Sequence, residues 1–149
     1  GPLRTAKYPS MTDPAEIGSA ESPPRPSSGP RVLLVEDEDA LRISIRRLLQ
    51  AQGYTVLEAQ NGAAALRLLE EPAANEVALV LTDLRMPVMD GRQLAAALAR
   101  VRPNIPVVFM SGYTAQLMDM RLISPDLAFL AKPFRNDELM AAVRRHLGR

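Results

Sequence analysis

The chain has 149 residues, a formal net charge of +1, no cysteine and 47% hydrophobic residues. This length suits one domain with its own core, and the near-zero charge disfavours a nucleic-acid-binding surface. Without cysteine, neither a disulfide framework nor a thiolate metal site can form. No apolar run approaches the roughly 20 residues of a membrane-spanning helix, and no signal-peptide pattern opens the chain. We therefore expect a cytoplasmic protein that contacts neither nucleic acid nor membrane directly.

Residues 1–30 differ in composition from the rest of the chain. They hold seven of the thirteen prolines, together with Ser, Gly and scattered charges, and show no hydrophobic periodicity. Such a segment cannot bury enough apolar surface to fold, so we predict a disordered tail or linker. Its first residues, Gly1-Pro2-Leu3, are typical of a protease-cleavage scar from an expression vector. The folded domain is predicted to span residues 31–149.

Five apolar runs rich in Val, Leu and Ile predict five β-strands. They occupy residues 31–36, 54–59, 77–83, 105–110 and 127–131. The second run alternates more than the others, which indicates a less buried strand at an edge of the sheet. The third run is typical of a strand buried on both faces, and it ends abruptly on the carboxylate of Asp83.

Amphipathic segments between these runs predict five helices. The first has an apolar stripe at positions 41, 45, 48 and 49, with Asp39 as its N-cap and Gly53 at its end. The second begins at Asn61-Gly62, and the third begins at Asp90-Gly91 with a stripe at positions 94, 98 and 101. The fourth, over residues 114–121, has the thinnest stripe, and the fifth begins at position 136.

Five strand–helix repeats predict an α/β fold with a parallel sheet between two helical layers, because parallel strands need helical, right-handed crossovers. No Gly-x-Gly-x-x-Gly follows the first strand, which disfavours a dinucleotide-binding fold. The length best fits a flavodoxin-like (βα)5 doubly wound sheet with strand order 2-1-3-4-5. In that order the ligand crevice lies at the carboxyl ends of strands 1 and 3.

Four of the five predicted strands end in an ionisable or hydroxyl side chain. These side chains are Glu36 and Asp37, Asp83, Ser111 and Lys132. Three carboxylates in one crevice repel one another, and a hard divalent cation removes that repulsion. Oxygen ligands without His or Cys indicate Mg²⁺, or Mn²⁺, rather than Zn²⁺.

The predicted cation site consists of Asp37, Asp83 and a backbone carbonyl near Arg85. Lys132 supplies a second positive charge and Ser111 a hydroxyl donor, so that these groups together neutralise the oxygens of an incoming phosphoryl group. The remaining carboxylate oxygen of Asp83 is then able to attack in line and form an aspartyl phosphate.

Four motifs, in order and spacing, resemble the response-regulator receiver domain of two-component phosphorelay systems. They are Leu34-Val35-Glu36-Asp37, the segment 82–91 (TDLRMPVMDG), Met110-Ser111-Gly112-Tyr113 and Leu130-Ala131-Lys132-Pro133-Phe134. The resemblance covers the predicted domain from end to end. Within that family the motifs are most similar to receivers at the C-terminus of hybrid histidine kinases.

The resemblance implies Mg²⁺-dependent transfer of a phosphoryl group from a partner phosphohistidine to Asp83. It implies Glu36 and Asp37 as the acidic pair, with Asp37 as the direct metal ligand beside Asp83 and the backbone carbonyl of Arg85. Ser111 is then the hydroxyl that senses the phosphoryl group, and Lys132 its ion-pair partner. Such a domain catalyses only its own phosphorylation and slow dephosphorylation, so it is a switch rather than a metabolic enzyme.

The resemblance also implies a switch made of Ser111, Tyr113 and Phe129. Phe129 falls at the family's aromatic switch position but lacks the hydroxyl of a Tyr, so Tyr113 is expected to take part of that role. Simple core packing of Phe129 remains an equal alternative. The implied partners are a histidine kinase or a histidine phosphotransfer protein, and a second copy bound through the fourth helix, fifth strand and fifth helix. The implied location is cytoplasmic, alone or as the cytoplasmic portion of a larger, membrane-bound kinase.

Two other functions use similar residues. A magnesium-dependent phosphatase of the dehalogenase type also forms an aspartyl phosphate, but it needs an acid two residues after the nucleophile, where this chain has Arg85. A receiver fold that binds partners without phosphorylation is disfavoured by the complete set of site residues. The single histidine, His146, is predicted to be a surface residue of the last helix rather than a phosphodonor or a base.

Overall fold

The computed structural model describes residues 29–147, and within them five β-strands alternate with five α-helices. The strands are β1 Arg31–Val35, β2 Thr55–Ala59, β3 Val77–Asp83, β4 Val107–Ser111 and β5 Ala128–Ala131. The helices are α1 Asp39–Ala51, α2 Gly62–Leu68, α3 Gly91–Val101, α4 Thr114–Ile123 and α5 Asn136–His146, with a 3₁₀ turn at Pro72–Ala74. The predicted cleavage scar and residues 1–28 of the predicted tail (1–30) lie outside the described residues.

The strands form one sheet in the order β2-β1-β3-β4-β5, and every pairing is parallel. This confirms the predicted flavodoxin-like order 2-1-3-4-5. It also confirms β2 as an edge strand, whose first four residues are only half-buried. The order places β1 beside β3, so the chain segments that follow these two strands leave the sheet side by side.

Each face of the sheet has its own apolar core. Alternate residues of β1 and β3, such as Leu34 and Leu81, pack on the face covered by α1 and α5. Their neighbours Leu33 and Val80 pack on the opposite face, under α2 and α3. Both central strands are therefore buried on two sides, as their continuous apolar runs predict. Truncating a fully buried leucine of this kind to alanine typically costs about 2–5 kcal/mol of folding free energy.

Capping side chains hold the first turns of α2 and α3 and so fix the ends of the loops that lead into these helices. Asn61 accepts a hydrogen bond from Ala64 N at 2.9 Å, and Asp90 and Gln93 form a reciprocal capping box at the start of α3. The predicted N-cap Asp39 is wrong by one residue: Glu38 occupies the cap without a side-chain hydrogen bond, and Asp39 is the first helical residue. The carboxylate of Asp39 instead pairs with Arg42 at 2.7 Å.

Two further details of the helices differ from the prediction. Val101, predicted on the apolar stripe of α3, has 60% of its surface exposed. Arg102 turns inward beyond it and donates to the carbonyls of Leu69 and Ala74. Helix α4 extends to Ile123, two residues beyond the predicted end, although Leu117 is its one buried residue. Across residues 29–147, no helix combines the length and apolar character needed to traverse a lipid bilayer.

Candidate functional site

Three carboxylates meet at the carboxyl edge of the sheet. Glu36 follows β1 directly, Asp37 comes next, and Asp83 is the last residue of β3. One oxygen from each of the three lies within 4.8 Å of the others. Glu36 and Asp83 are buried, whereas Asp37 is exposed. The strand order therefore produces an acidic cluster with one open side.

Lys132 joins two of these acids. Its Nζ lies 3.0 Å from Glu36 Oε1 and 3.1 Å from Asp83 Oδ2. The backbone N–H of Lys132 donates to the carbonyl of Ser111, the last residue of β4, at 2.8 Å, which continues the pairing between β4 and β5 one residue beyond the end of β5. The lysine is thus anchored at its backbone and reaches across the end of β4 to the acids.

Burial and hydrogen bonding shift the pKa values of Glu36 and Lys132 in opposite directions. The pKa of Glu36 is raised because its carboxyl group is buried, and the Asp83 charge raises it further, although the Glu38 amide and Lys132 act in the opposite direction. Burial lowers the pKa of Lys132, but the hydrogen bond to Glu36 and the charge of Asp83 outweigh it, so the pKa is raised. The ammonium is therefore firmly charged, whereas the negative charge on Glu36 is not fully compensated.

The end of β3 is held by backbone contacts that fix Asp83. Leu84 N donates to the Met110 carbonyl and Gly91 N to the Leu84 carbonyl, each at 2.9 Å. The fully buried Thr82 hydroxyl donates to the Asp83 carbonyl at 2.9 Å. A Cβ added to Gly91 would collide with that same Asp83 carbonyl. The loop between β3 and α3 therefore closes tightly on the base of the Asp83 side chain.

Ser111 is the last residue of β4 and is 1% exposed. It follows Met110, the residue paired with Asp83 across the sheet. Its Oγ accepts a hydrogen bond from Tyr113 N at 2.9 Å. Because the oxygen acts as acceptor there, the hydroxyl hydrogen is available for another acceptor at this edge.

Arg85 directs its side chain away from the acids and onto the start of α4. Its guanidinium lies 3.9 Å from the centroid of the Tyr113 ring, and its Nε donates to Gln116 Oε1 at 3.3 Å. Within residues 29–147, no backbone hydrogen bond ends on the Arg85 carbonyl oxygen. The carbonyl predicted as a ligand is therefore not occupied by another backbone donor in that region.

The two predicted switch aromatics have different surroundings. Tyr113 is 54% exposed, whereas Phe129 is half-buried against the small cluster formed by Leu84, Phe109 and Leu117. The Arg121 guanidinium lies 4.9 Å from the Phe129 ring centroid. Phe129 thus combines core packing with an exposed edge, so the structure leaves both interpretations of this residue in place.

The donor set at the carboxyl edge fits a hard divalent cation. Both Glu36 oxygens are engaged, one by Lys132 and the other by the Glu38 amide at 2.9 Å. Among the described residues, Asp37 accepts no hydrogen bond and Lys132 is the sole donor to the Asp83 carboxylate. Free carboxylate oxygens without nearby nitrogen or sulfur ligands suit Mg²⁺ or Mn²⁺.

Two contributors to this site did not emerge from the sequence. Arg42 donates a hydrogen bond to the Glu36 carbonyl at 2.9 Å. In the sequence, the spacing of three residues between Asp39 and Arg42 indicates only an ion pair along the helix. Gly91 was recognised as a helix start but not as a point of close backbone approach. Both residues contact backbone carbonyls of the acidic residues, Glu36 in one case and Asp83 in the other. A pattern of side-chain types in the sequence does not reveal contacts of this kind.

His146 is half-buried in the last turn of α5. It lines a cavity of about 450 Å³ together with Arg121, Asp126 and Arg145, on the face formed by α4, β5 and α5. Burial lowers its pKa, and the charge of Arg145 lowers it further. This cavity is separate from the acidic cluster.

Comparison with known proteins identifies the family. A family model described as the response regulator receiver domain matches residues 32–144. The sensor kinase CckA of Brucella abortus (strain 2308) is 42% identical over 122 residues, which cover 81% of this chain but 13% of the kinase. The response regulator receiver protein CpdR of the same organism is 35% identical over 119 residues, 78% of this chain and 96% of CpdR.

Solved structures of receiver domains also align with this chain. The crystal structure of the receiver domain from hybrid histidine kinase CckA aligns with a TM-score of 0.66 and 38% identity, over 78% of this chain and 98% of that one. The response regulator TrrA from Thermotoga maritima, solved in complex with Mg²⁺ and BeF, aligns with a TM-score of 0.67 and 26% identity over the same shares. With its acidic pocket of Glu36, Asp37 and Asp83, the chain belongs to the response-regulator receiver family, a family of two-component signalling modules rather than enzymes.

Proposed function

We propose that Asp83 is the phosphoryl acceptor of this receiver domain and that a phosphohistidine on a partner protein is the donor. Receiver domains interact with histidine kinases or phosphotransfer proteins, and either class suits this proposal. The observation that carries it is the single ammonium of Lys132, which bridges Asp83 and Glu36 beside the open carboxylate of Asp37.

In the proposed reaction, a carboxylate oxygen of Asp83 attacks the phosphorus in line with the bond to the donor imidazole. The new oxygen–phosphorus bond forms as the phosphorus–nitrogen bond breaks, and the electron pair returns to the imidazole nitrogen. The product is an aspartyl phosphate and a free histidine on the partner. Asp83 is suited to this role because three hydrogen bonds, one of them from the Thr82 hydroxyl, hold the backbone around it, while its carboxylate has one donor among residues 29–147.

The surrounding side chains have separate proposed roles. Lys132 neutralises one oxygen of the transferred group, and the buried Ser111 hydroxyl donates to another. Glu36, Asp37, Asp83 and the Arg85 carbonyl would hold Mg²⁺, with Mn²⁺ as the other candidate. When bound, the cation supplies positive charge that offsets the charge developing on the phosphoryl oxygens. The Mg²⁺ complex of the related TrrA supports this choice of metal.

The proposed switch consists of Ser111, Tyr113 and Phe129. The Ser111 hydroxyl oxygen accepts a hydrogen bond from the backbone N–H of Tyr113, the residue that immediately precedes α4. A phosphoryl group that attracts the Ser111 hydroxyl would therefore also displace Tyr113 and the start of α4. Tyr113 and Phe129 respond by packing, since Phe129 has no hydroxyl. The exposed Leu122 and Ile123 on α4 support a homodimer through α4, β5 and α5 as one surface that this switch controls.

The organisation of the whole protein is also proposed rather than observed. The chain spans 13% of the sensor kinase CckA but nearly all of CpdR, so both a kinase-linked receiver and a stand-alone one are represented among its relatives. We propose a receiver domain at residues 31–149 that follows the proline-rich segment of residues 1–30. A cytoplasmic location follows from a phosphodonor of the histidine-kinase type.

Intact mass spectrometry after incubation with acetyl phosphate and Mg²⁺ tests the acceptor. We expect one phosphoryl adduct on the wild-type chain, none on Asp83→Asn, and an undiminished adduct on Asp119→Asn. Asp119 is an exposed acid of α4, so its variant controls for the loss of one carboxylate. An adduct on Asp83→Asn at wild-type level would assign the phosphoryl group to another residue.

A further inference from the structure

We propose that Arg42 is a positioning residue that sets the direction of Asp37 for metal binding. The acidic loop, defined as residues 36–39, carries Glu36 and Asp37 between β1 and α1. Arg42 lies one turn into α1 and reaches back over this loop. The inference rests on the proposed function, because it concerns the same cation site.

Three hydrogen bonds hold the Arg42 guanidinium in place. Nη1 donates to the Glu36 carbonyl at 2.9 Å, Nε to Glu58 Oε1 at 3.2 Å, and Nη2 to Asp39 Oδ1 at 2.7 Å. The side chain is only 11% exposed. Burial lowers the Arg42 pKa, but the hydrogen bonds to Asp39 and Glu58 outweigh it, so the group stays charged. Glu58 belongs to β2, so Arg42 ties the acidic loop to both a helix and the edge strand.

The contact with the Glu36 carbonyl has a consequence for the next residue. That oxygen belongs to the planar peptide unit joining Glu36 to Asp37, and planarity makes its direction fix the orientation of the Asp37 amide. Glu36 N is held at the same time by the Ala59 carbonyl at 3.0 Å. Hydrogen bonds thus hold both the amide and the carbonyl of Glu36, and they restrict the directions that the Cα–Cβ bond of Asp37 can take. Asp37 itself accepts no hydrogen bond among residues 29–147, so its orientation depends on the backbone contacts of the acidic loop, including the one that Arg42 makes.

Arg46 provides a matched comparison on the same helix. It lies one turn beyond Arg42 and binds the other oxygen of the same carboxylate, Glu58 Oε2, at 2.9 Å. Within residues 29–147, Arg46 forms no hydrogen bond or ion pair with the acidic loop. The two arginines therefore share a charge and an acidic partner, and they differ in the contact with the Glu36 carbonyl.

Two physical effects predict opposite results for the loss of Arg42. If the arginine acted only through its charge, its removal would make the site more negative and Mg²⁺ binding tighter. If it positions Asp37, its removal weakens Mg²⁺ binding, since loss of groups that orient metal ligands typically costs about 10–100-fold in affinity. The sign of the change therefore separates the two effects.

The test is Mg²⁺ binding by isothermal titration calorimetry, combined with amide hydrogen exchange of Glu38 in the metal-free protein. The Glu38 amide is bonded to Glu36 Oε2 at 2.9 Å, so its exchange reports the order of the loop without any metal. We expect Arg42→Ala to weaken Mg²⁺ binding about tenfold or more and to accelerate Glu38 exchange. Arg46→Ala should stay within about twofold of wild type in affinity, because its ion pair with Glu58 makes no contact with the acidic loop and ion pairs near the surface contribute little.

Conservative variants keep the test decisive if Arg42→Ala does not fold by circular dichroism. Arg42→Lys keeps the charge but replaces the fork of donors by one ammonium, so its affinity should lie between those of wild type and Arg42→Ala. Glu58→Gln leaves Arg42 in place but weakens its anchor, and a smaller loss in the same direction is expected.

The outcomes separate this inference from the proposed function. Wild-type protein that binds Mg²⁺, with Arg42→Ala or Arg42→Lys binding as tightly as Arg46→Ala, would overturn the positioning role alone. Unchanged Glu38 exchange in the Arg42 variants would overturn it in the same way. Wild-type protein that binds no Mg²⁺ would overturn the proposed cation site, and the inference with it.

Discussion

The Nζ of Lys132 lies 3.1 Å from Oδ2 of Asp83, although β5, which Lys132 follows directly, is separated by β4 from β3, which ends at Asp83. The lysine side chain spans this gap and also reaches Glu36 at 3.0 Å. One cation therefore pairs with two buried carboxylates, one at the end of β3 and one directly after β1. This arrangement makes Lys132 both a structural partner of the acids and a cation in direct contact with the proposed acceptor carboxylate.

Replacing Lys132 should separate phosphorylation from metal binding. Lys132→Gln removes a charge that competes with Mg²⁺ for the acids, so we expect Mg²⁺ binding at least as tight as in wild type. Adduct formation with acetyl phosphate should slow by about 10²-fold or more, because one preorganised cation at the transferred group is lost. Time-resolved mass spectrometry and calorimetry measure the two effects. Arg135→Ala, which removes an exposed cation that pairs only with Asp137 among residues 29–147, should change neither.

The sequence predicted the sheet order and the acidic cluster because both follow from short-range patterns. Continuous apolar runs give buried strands, and parallel topology then brings the residues after Val35 and the residue Asp83 to one edge. The sequence did not predict the inward turn of Arg102, which binds two carbonyls and leaves Val101 exposed. Such contacts join segments about 30 residues apart along the chain and leave no periodic signal.

Asp37 should be needed for stabilisation by Mg²⁺ but not for folding. Its side chain is exposed and accepts no hydrogen bond within residues 29–147, so Asp37→Asn should match or slightly exceed wild-type stability without metal. A ligand present at 100 times its Kd adds about 2.7 kcal/mol to the unfolding free energy. Urea denaturation with and without Mg²⁺ should show this gain in wild type and little of it in Asp37→Asn. An equal gain in both proteins would exclude Asp37 as a ligand.

Gly91 should tolerate no side chain, because its Cβ would overlap the backbone carbonyl of Asp83. A backbone atom at the end of a central strand cannot move aside cheaply, so Gly91→Ala should cost about 1–3 kcal/mol of unfolding free energy. Gly112→Ala is the matched control, since the nearest atom to its added Cβ is the Lys132 Cβ at 4.0 Å. We expect that variant to stay within about 0.5 kcal/mol of wild type. Equal losses in the two variants by urea denaturation would argue against the close approach.

Arg85 should order the first turn of α4. Its contacts with the Tyr113 ring and with Gln116 are lost in Arg85→Ala, and the buried contacts of this helix are few, with Leu117 alone fully buried. We expect faster amide hydrogen exchange across residues 113–117 in that variant, measured by mass spectrometry. Exchange in α1 should be unchanged. Arg92→Ala removes an exposed arginine of α3 and serves as the control, with exchange across 113–117 as in wild type.

His146 should make the fold less stable in mild acid. Its folded-state pKa is lowered from 6.5 by burial and by Arg145, so the unfolded chain takes up the proton at a higher pH than the folded protein does. The free energy of unfolding should therefore decrease as the pH falls below about 6.5. His146→Gln removes this contribution, while Arg121, Asp126 and Arg145 still line the cavity. Urea midpoints across this pH range should fall less in the variant than in wild type, and equal declines would show that His146 does not carry the effect.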